Sequence, residues 1–218
     1  EKDERRVTAG EFVLNNGVFT SPDYVYFGFY NGTPWTDPDG ELRPKITVNG
    51  GVFNAKAIRM GHDSNGNMMT ASPTLEVNGG EVNLSTYLEI GYSPYTQTTD
   101  FTPVDTLVVT GGILRTGRNL NMGSNAKSPQ GRIIVGGTGV LDVHGTINAA
   151  AVVTERLQQV FLEEGGNIRT CYRIWSDNGA NSEIYFRGGK WTIGVDRQGV
   201  YNPAIEYWRH AYVGRGGL

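Results

Sequence analysis

The sequence is short of most of what metal, redox and phosphate chemistry is built from. One cysteine, Cys171, stands among 218 residues. That excludes an internal disulfide and a cysteine-based zinc site, because structural zinc sites of that kind need at least two thiolates. Cys171 is read as a small buried hydrophobe between Thr170 and Tyr172. The three histidines, His62, His144 and His210, lie far apart with no ligand spacing. No Gly-x-Ser-x-Gly elbow, phosphate loop or dinucleotide fingerprint occurs. No apolar run approaches the ~20 residues of a membrane-spanning helix, and a typical one is only Ala149-Ala-Ala-Val-Val153. A basic excess is missing too: 19 Lys+Arg against 22 Asp+Glu give a net charge of -3, which argues against nucleic acid as a partner. The opening Glu1-Lys-Asp-Glu-Arg-Arg6 has no initiator Met and no apolar signal core, as expected of a processed product or an excerpt.

Glycine is what the chain has in plenty. It fills 31 of 218 positions, about twice the ordinary share of about 7%, so the chain is built around sharp turns. The glycines belong to a repeated phrase: an apolar-x-apolar strand, an Asn or Thr, a glycine corner, a second apolar stretch, then apolar-x-apolar-Gly. Its copies are Phe12-Val-Leu-Asn-Asn-Gly17-Val-Phe19, Ile46-Thr-Val-Asn-Gly-Gly51-Val-Phe53, Leu75-Glu-Val-Asn-Gly-Gly80-Glu-Val82 and Leu107-Val-Val-Thr-Gly-Gly112-Ile-Leu114. They close at Val25-Tyr-Phe27-Gly28, Ile58-Arg-Met60-Gly61, Leu88-Glu-Ile90-Gly91 and Leu120-Asn-Met122-Gly123. Weaker copies follow at Leu141-Asp-Val143-His-Gly145, Leu162-Glu-Glu-Gly165-Gly166-Asn-Ile168 and Ile184-Tyr-Phe186-Arg-Gly188-Gly189-Lys-Trp191. The interval from corner glycine to closing glycine hardly changes. The variation sits in the stretch after each close.

Short alternating strands and glycine corners at a fixed internal spacing predict an all-β fold, a right-handed parallel β-helix of about seven coils. Equivalent positions stack from coil to coil, with Val48, Val77 and Val109 in one interior ladder and Phe53, Val82 and Leu114 in another. A two-sheet jelly roll also uses short strands and Gly/Pro turns and is the rival architecture. Residues 1–218 are read as one solenoid domain: a lead-in over 1–10, coils over 11–194 and a C-terminal cap over 195–218. In the cap, Asn202 suits a helix N-cap and Pro203 the first helical position, while Ile205, Trp208 and Tyr212 share one face. A short capping helix is therefore expected there, laid over the open end of the stack.

The Val-Asn-Gly-Gly phrase with its apolar-Gly close resembles the repeats of secreted bacterial β-solenoids, namely autotransporter-associated strand repeats and PEP-CTERM-type cell-surface proteins. The tail from Gly188-Gly-Lys-Trp-Thr-Ile193 to Gly217 is similar to the terminal segments of such proteins. The resemblance covers about residues 11–217. It implies an exported, extracellular or surface-attached protein with a structural or adhesive role, and it carries no catalytic residues over.

The loops after the closing glycines would emerge as a row from one corner. They hold Phe29, Tyr30, Trp35, Tyr92, Tyr95 and Phe101, aromatic side chains beside amides and carboxylates that suit stacking against sugar rings. Of these, Tyr30, Trp35, Tyr92, Tyr95 and Phe101 are the candidate ligand-binding residues. Two loops also place oxygen ligands around a glycine, Asp37, Asp39 and Glu41 in the first and Asp63, Asn65 and Asn67 in the second, as a calcium site would. Ordinary Asx turns use the same residues. Asn31-Gly-Thr33 and Asn83-Leu-Ser85 match the N-glycosylation pattern.

Catalysis finds less support. Stacked coils bring equivalent positions within about 4.8 Å, but the outward positions offer Arg59 beside Glu89, a cross-strand ion pair, and no pair of carboxylates for glycoside hydrolysis. The leading expectation is a non-enzymatic extracellular solenoid that contacts polysaccharide or other surface components through its loop row; solenoid ends invite self-assembly into a homo-oligomer, which the charged Glu1–Arg6 segment and the cap would oppose. A polysaccharide-active lyase or glycoside hydrolase, using Asp37, Asp39 and Asp63, is the alternative.

Overall fold

The computed structural model describes residues 5–7, 10–28, 43–61, 72–91, 104–123, 130–149, 157–175, 182–193, 204–206 and 210–213. Among them there are strands and no helix. The chain is an all-β solenoid whose strand pairs all run parallel. A jelly roll is built from antiparallel strands, so that rival is set aside.

Each repeat contributes to three ladders. The first ladder joins Glu11–Leu14, Lys45–Val48, Thr74–Val77, Val104–Val109, Gln130–Val135, Gln158–Leu162, Ser182–Phe186 and His210–Val213. The second begins with the first half of Val18–Phe27 and of Val52–Met60, then runs through Glu81–Leu84, Ile113–Thr116, Val140–Val143, Asn167–Thr170 and Lys190–Ile193. The third begins at Arg5–Val7, takes the second halves of the same two long strands, and continues through Leu88–Ile90, Leu120–Met122, Ile147–Ala149, Arg173–Trp175 and Ala204–Glu206. Because two strands serve both, the second and third ladders form one 13-stranded sheet, while the first is a separate 8-stranded sheet.

The alternation that marks the strands in the sequence also fills the core. Ile46, Leu75, Leu107, Ile133, Val160 and Ile184 stack in register on the first ladder, all at most 1% exposed. Val48, Val77 and Val109 form the neighbouring interior column, and Phe53, Val82 and Leu114 the one across the corner, both as expected. Burying a Leu, Val or Phe side chain contributes about 1.5–3 kcal/mol, but a coil buries its inner residues only against its neighbours.

The paired glycines of the corner meet two separate demands. A Cβ on Gly50, Gly79 or Gly111 would overlap the carbonyl oxygen of Asn15, Asn49 or Asn78 in the coil beneath, while Gly51, Gly80 and Gly112 take φ of 78°, 67° and 68°, which L side chains rarely adopt. The Asn before each pair is also fixed by stacking. Asn49 Nδ2 donates to Asn15 Oδ1 at 2.9 Å, Asn78 Nδ2 to Asn49 Oδ1 at 3.1 Å, and Thr110 Oγ1 to Asn78 Oδ1 at 3.0 Å.

Two expectations are corrected. The phrase at Leu141 is out of phase: Leu141 pairs with Leu114 on the second ladder, and the first-ladder strand of that repeat is Gln130–Val135, with its corner at Gly136-Gly137. The expected C-terminal capping helix within 195–218 is not formed by the described residues. Ala204–Glu206 pairs with Arg173–Trp175, and His210–Val213 with Glu183–Phe186. An isolated helix of this length is marginal in water, whereas the ladders offer Ala204–Glu206 and His210–Val213 parallel backbone partners.

Candidate functional site

Outward residues of the third ladder assemble a polar and aromatic cluster. The apolar-x-apolar strands turn their first and third residues inward, so the middle residues Tyr26, Arg59, Glu89, Asn121 and Asn148 form one outward column. A register shift between Ser21 and Tyr24 adds Tyr24 to this face. Tyr87, just before Leu88–Ile90, completes the group.

Arg59 is its centre. Its Nε donates to Glu89 Oε2 at 2.6 Å and its Nη2 to Tyr87 Oη at 2.6 Å. The guanidinium lies 4.8 Å from the ring centroid of Tyr24, 5.4 Å from that of Tyr87 and 6.0 Å from that of Tyr26. Tyr24 also carries the Lys56 ammonium at 4.6 Å, and Lys56 reaches Asp23 Oδ1 at 3.5 Å. Farther along the column Asn148 Nδ2 donates to Asn121 Oδ1 at 2.7 Å. The rings shield the ion pair, leaving the Arg59 and Glu89 side chains only 21% and 13% exposed. An exposed pair would contribute under ~1 kcal/mol; this one is partly desolvated and held in a fixed geometry.

Burial pushes the Glu89 carboxyl above its ordinary range, while the Arg59 charge and the hydrogen bonds from Arg59 and Asn121 pull the other way. Burial also lifts the Tyr87 hydroxyl above the usual tyrosine range, helped by its hydrogen bond with Tyr24. The face therefore offers phenol, amide and guanidinium groups beside ring edges. Of the five outward positions from Tyr26 to Asn148, Glu89 is the carboxylate, and Arg59 occupies one of its oxygens.

The variable loops leave beside this face. Phe27, Met60, Ile90 and Met122 stack as the last inward residues of the third ladder, so Gly28, Gly61, Gly91 and Gly123 follow at one corner, and the chain resumes on the first ladder each time. The aromatic candidates Tyr30, Trp35, Tyr92, Tyr95 and Phe101 lie outside the described residues. So do the calcium candidates Asp37, Asp39, Glu41, Asp63, Asn65 and Asn67. Among the described residues no group of three or more His, Cys, Asp or Glu is placed to hold a metal ion.

The inner side of the same corner carries a feature that was not singled out from the sequence. Pro44 and Pro73 occupy it in two successive repeats, then Asp105, Gly131, Gln158 and Ser182. Asp105 is 0% exposed, and its Oδ2 accepts the Gly91 N–H at 2.8 Å, tying together the two stems of the loop between them. Oδ1 has no hydrogen-bond partner among the described residues, and burial pushes the carboxyl well above its ordinary range against the pull of the Gly91 N–H. Gln158 likewise reaches back to the Gly131 N–H at 2.8 Å and fills the space where a side chain on Gly131 would lie. Of the glycosylation candidates, Asn83 is engaged within the second ladder, donating to Asn54 at 3.2 Å and accepting from Arg115 at 3.1 Å.

Compared with protein-family models, curated proteins and solved structures, the chain matches none. No helix among the described residues is long and apolar enough to cross a membrane.

Proposed function

We propose that this protein is a non-enzymatic extracellular solenoid with a structural or adhesive role at a cell surface, and that it contacts polysaccharide along the outer face of the third ladder and the loops beside it. The observation that carries this reading is the convergence of Tyr24, Tyr26 and Tyr87 on Arg59, continued by Glu89, Asn121 and Asn148 in one column. A column repeating once per coil, at about 4.8 Å, suits a linear chain of hydroxyl-bearing rings lying along the axis. The extracellular setting rests on the resemblance of the Val-Asn-Gly-Gly repeats to secreted surface solenoids. A right-handed winding of about seven coils belongs to the same proposal; in its support, parallel strands joined by crossovers are right-handed in about 98% of cases, and the second ladder takes one strand from each repeat.

The test is a glycan-array and polysaccharide-digestion screen, run with and without calcium, on wild type, Tyr24→Ala, Asn121→Ala and Trp35→Ala. Binding weakened about two- to tenfold by Tyr24→Ala, on the scale of a lost stacking contact, with no cleavage products, is expected. Loss confined to Trp35→Ala would move the contact to the loops. Cleavage products would replace this reading with the polysaccharide-active alternative, and binding that requires calcium would direct attention to Asp37, Asp39 and Asp63.

A further inference from the structure

We propose that Asp105 is a pH-operated latch at the stem of the loop between Gly91 and Val104. While its carboxyl keeps a proton, the stem is fastened through the Gly91 N–H; when the proton leaves, the stem opens locally and the stack around it stays folded. The backbone at this stem is built differently from that of its neighbours. Gly61 and Gly123 end their strands by donating to the carbonyls of Phe27 and Ile90 in the coil before, at 2.8 and 2.9 Å. Gly91 stands at the same step, yet its N–H makes no such bond to the Met60 carbonyl and turns inward to Asp105 Oδ2 at 2.8 Å. The pairing of Val52–Met60 with Leu88–Ile90 accordingly stops at Arg59 and Glu89. One side chain does at this corner what the ladder does at the other two.

No charge on the described strands around Asp105 faces its carboxyl. In its own column Asp105 stands between Pro73 and Gly131. The wall beside Gly131 is apolar: a Cβ there would meet Met122 Cε at 3.2 Å and Ile90 Cγ2 at 3.4 Å. The charged residues of the neighbouring strands take outward positions and have contacts of their own. Glu76 of Thr74–Val77 pairs with Lys45 at 2.9 Å, Glu89 of Leu88–Ile90 pairs with Arg59, and Arg132 of Gln130–Val135 lies over the Phe161 ring. Leu120–Met122 carries no charged residue.

An uncompensated charge is expensive to bury, so the fastened stem keeps the proton. Burial pushes the Asp105 carboxyl well above its ordinary range, against the pull of the Gly91 N–H, and Oδ1 has no described partner to offset it. In an opened stem the carboxyl meets water and releases its proton near pH 4. The opening constant therefore rises about tenfold per pH unit, from about pH 4 up to the pH at which Asp105 ionises with the stem fastened. A released Gly91 N–H has an alternative in the bond that Gly61 and Gly123 make, here to the Met60 carbonyl, which gives the corner two discrete arrangements.

Native-state amide exchange on the 218-residue chain, from pH 4 to 8 with the intrinsic pH dependence divided out, is the test. Gly91 should lose protection by about tenfold per pH unit. Gly61, Gly123 and Gly131, whose N–H groups are held by Phe27, Ile90 and the neutral Gln158, should stay level. In Asp105→Asn the Gly91 slope should vanish. Carboxyl-carbon NMR should find Asp105 titrating above the ordinary carboxylate range, in step with the Gly91 amide shift. A Gly91 that stays level would overturn the proposal, and so would equal losses at all these glycines, which would mean that Asp105 acts only through global unfolding. A slope that survives in a folded Asp105→Asn, or an Asp105 that titrates in the ordinary range, would overturn it as well. Glycan binding is read in a separate assay, so failure here leaves the proposed function standing.

Discussion

Replacing Asp105 with Asn should stabilise the protein, and increasingly so as the pH rises. Asp105 is wholly buried, with one oxygen on the Gly91 N–H and the other without a described partner. Burial raises its folded-state pKa, so between the unfolded carboxyl range and that pKa the folded chain keeps a proton that the unfolded chain has released. The contribution of Asp105 to stability is therefore greatest in acid and falls as the pH climbs, by about 1.4 kcal/mol per pH unit from about pH 4 until Asp105 ionises within the fold. Asn keeps an acceptor for Gly91 and carries no charge at any pH, which removes this slope. Near pH 4 the two proteins should differ by less than about 1 kcal/mol, the scale of one hydrogen bond. At pH 7 Asp105→Asn should be the more stable by a margin no greater than about 4 kcal/mol, the full cost of holding one proton over three pH units. Urea unfolding from pH 4 to 8 measures both curves. A gap that stays constant with pH, or an Asn variant less stable at pH 7, would show that Asp105 is paired in the folded chain and would refute the argument.

Other substitutions test the stacking. Gly131→Ala would drive its methyl into Gln158 Oε1 and against Met122, an overpacking cost of about 1–3 kcal/mol; in a Gln158→Ala background most of that cost should vanish, and equal costs in both backgrounds would disprove the contact. Asn78→Ala removes one donated and one accepted hydrogen bond from the asparagine ladder and should lower the unfolding free energy by about 1 kcal/mol, with amide exchange accelerated at Gly79 and Gly111. Gly80→Ala meets both a positive φ and the Gly51 carbonyl, so thermal unfolding should report a loss above the ~1–2 kcal/mol of a left-handed backbone alone.

The repeats made much of this architecture legible before any coordinates. A fixed interval between corner and closing glycine leaves room for two short strands and one bend, which is why the interior columns Val48-Val77-Val109 and Phe53-Val82-Leu114 appear as read. Phase was lost where the phrase loses its asparagine. Gly136-Gly137-Thr138-Gly139 carries one glycine more than the earlier corners, and Leu141 beyond it looks like a new beginning although it continues the second ladder. The C-terminal segment misled for another reason. Asn-Pro followed by residues at helical spacing is a local signal, and pairing with Arg173–Trp175 and Glu183–Phe186 is a tertiary one that local pattern does not contain.

The site was legible where it follows the repeat. Arg59 and Glu89 occupy the same slot in successive phrases, and coil stacking alone makes them neighbours. Tyr24 joins them only through the register shift after Ser21, where Pro22 removes a backbone donor and Asp23 takes the extra place. The signal for Asp105 was in plain view as well: in Val104-Asp-Thr-Leu-Val-Val109 strict alternation puts Asp105 in phase with Leu107 and Val109, both inward. In this solenoid the repeat places the backbone, and the residues that break it mark where the interior or the surface is given over to something besides packing. Asp105 stands where two earlier repeats hold proline, at the base of a variable loop, and a residue chosen for packing alone would not be a carboxylate there. Its Oδ2 on the Gly91 N–H ties together the two stems of that loop, a contact that hydrophobic packing alone does not call for.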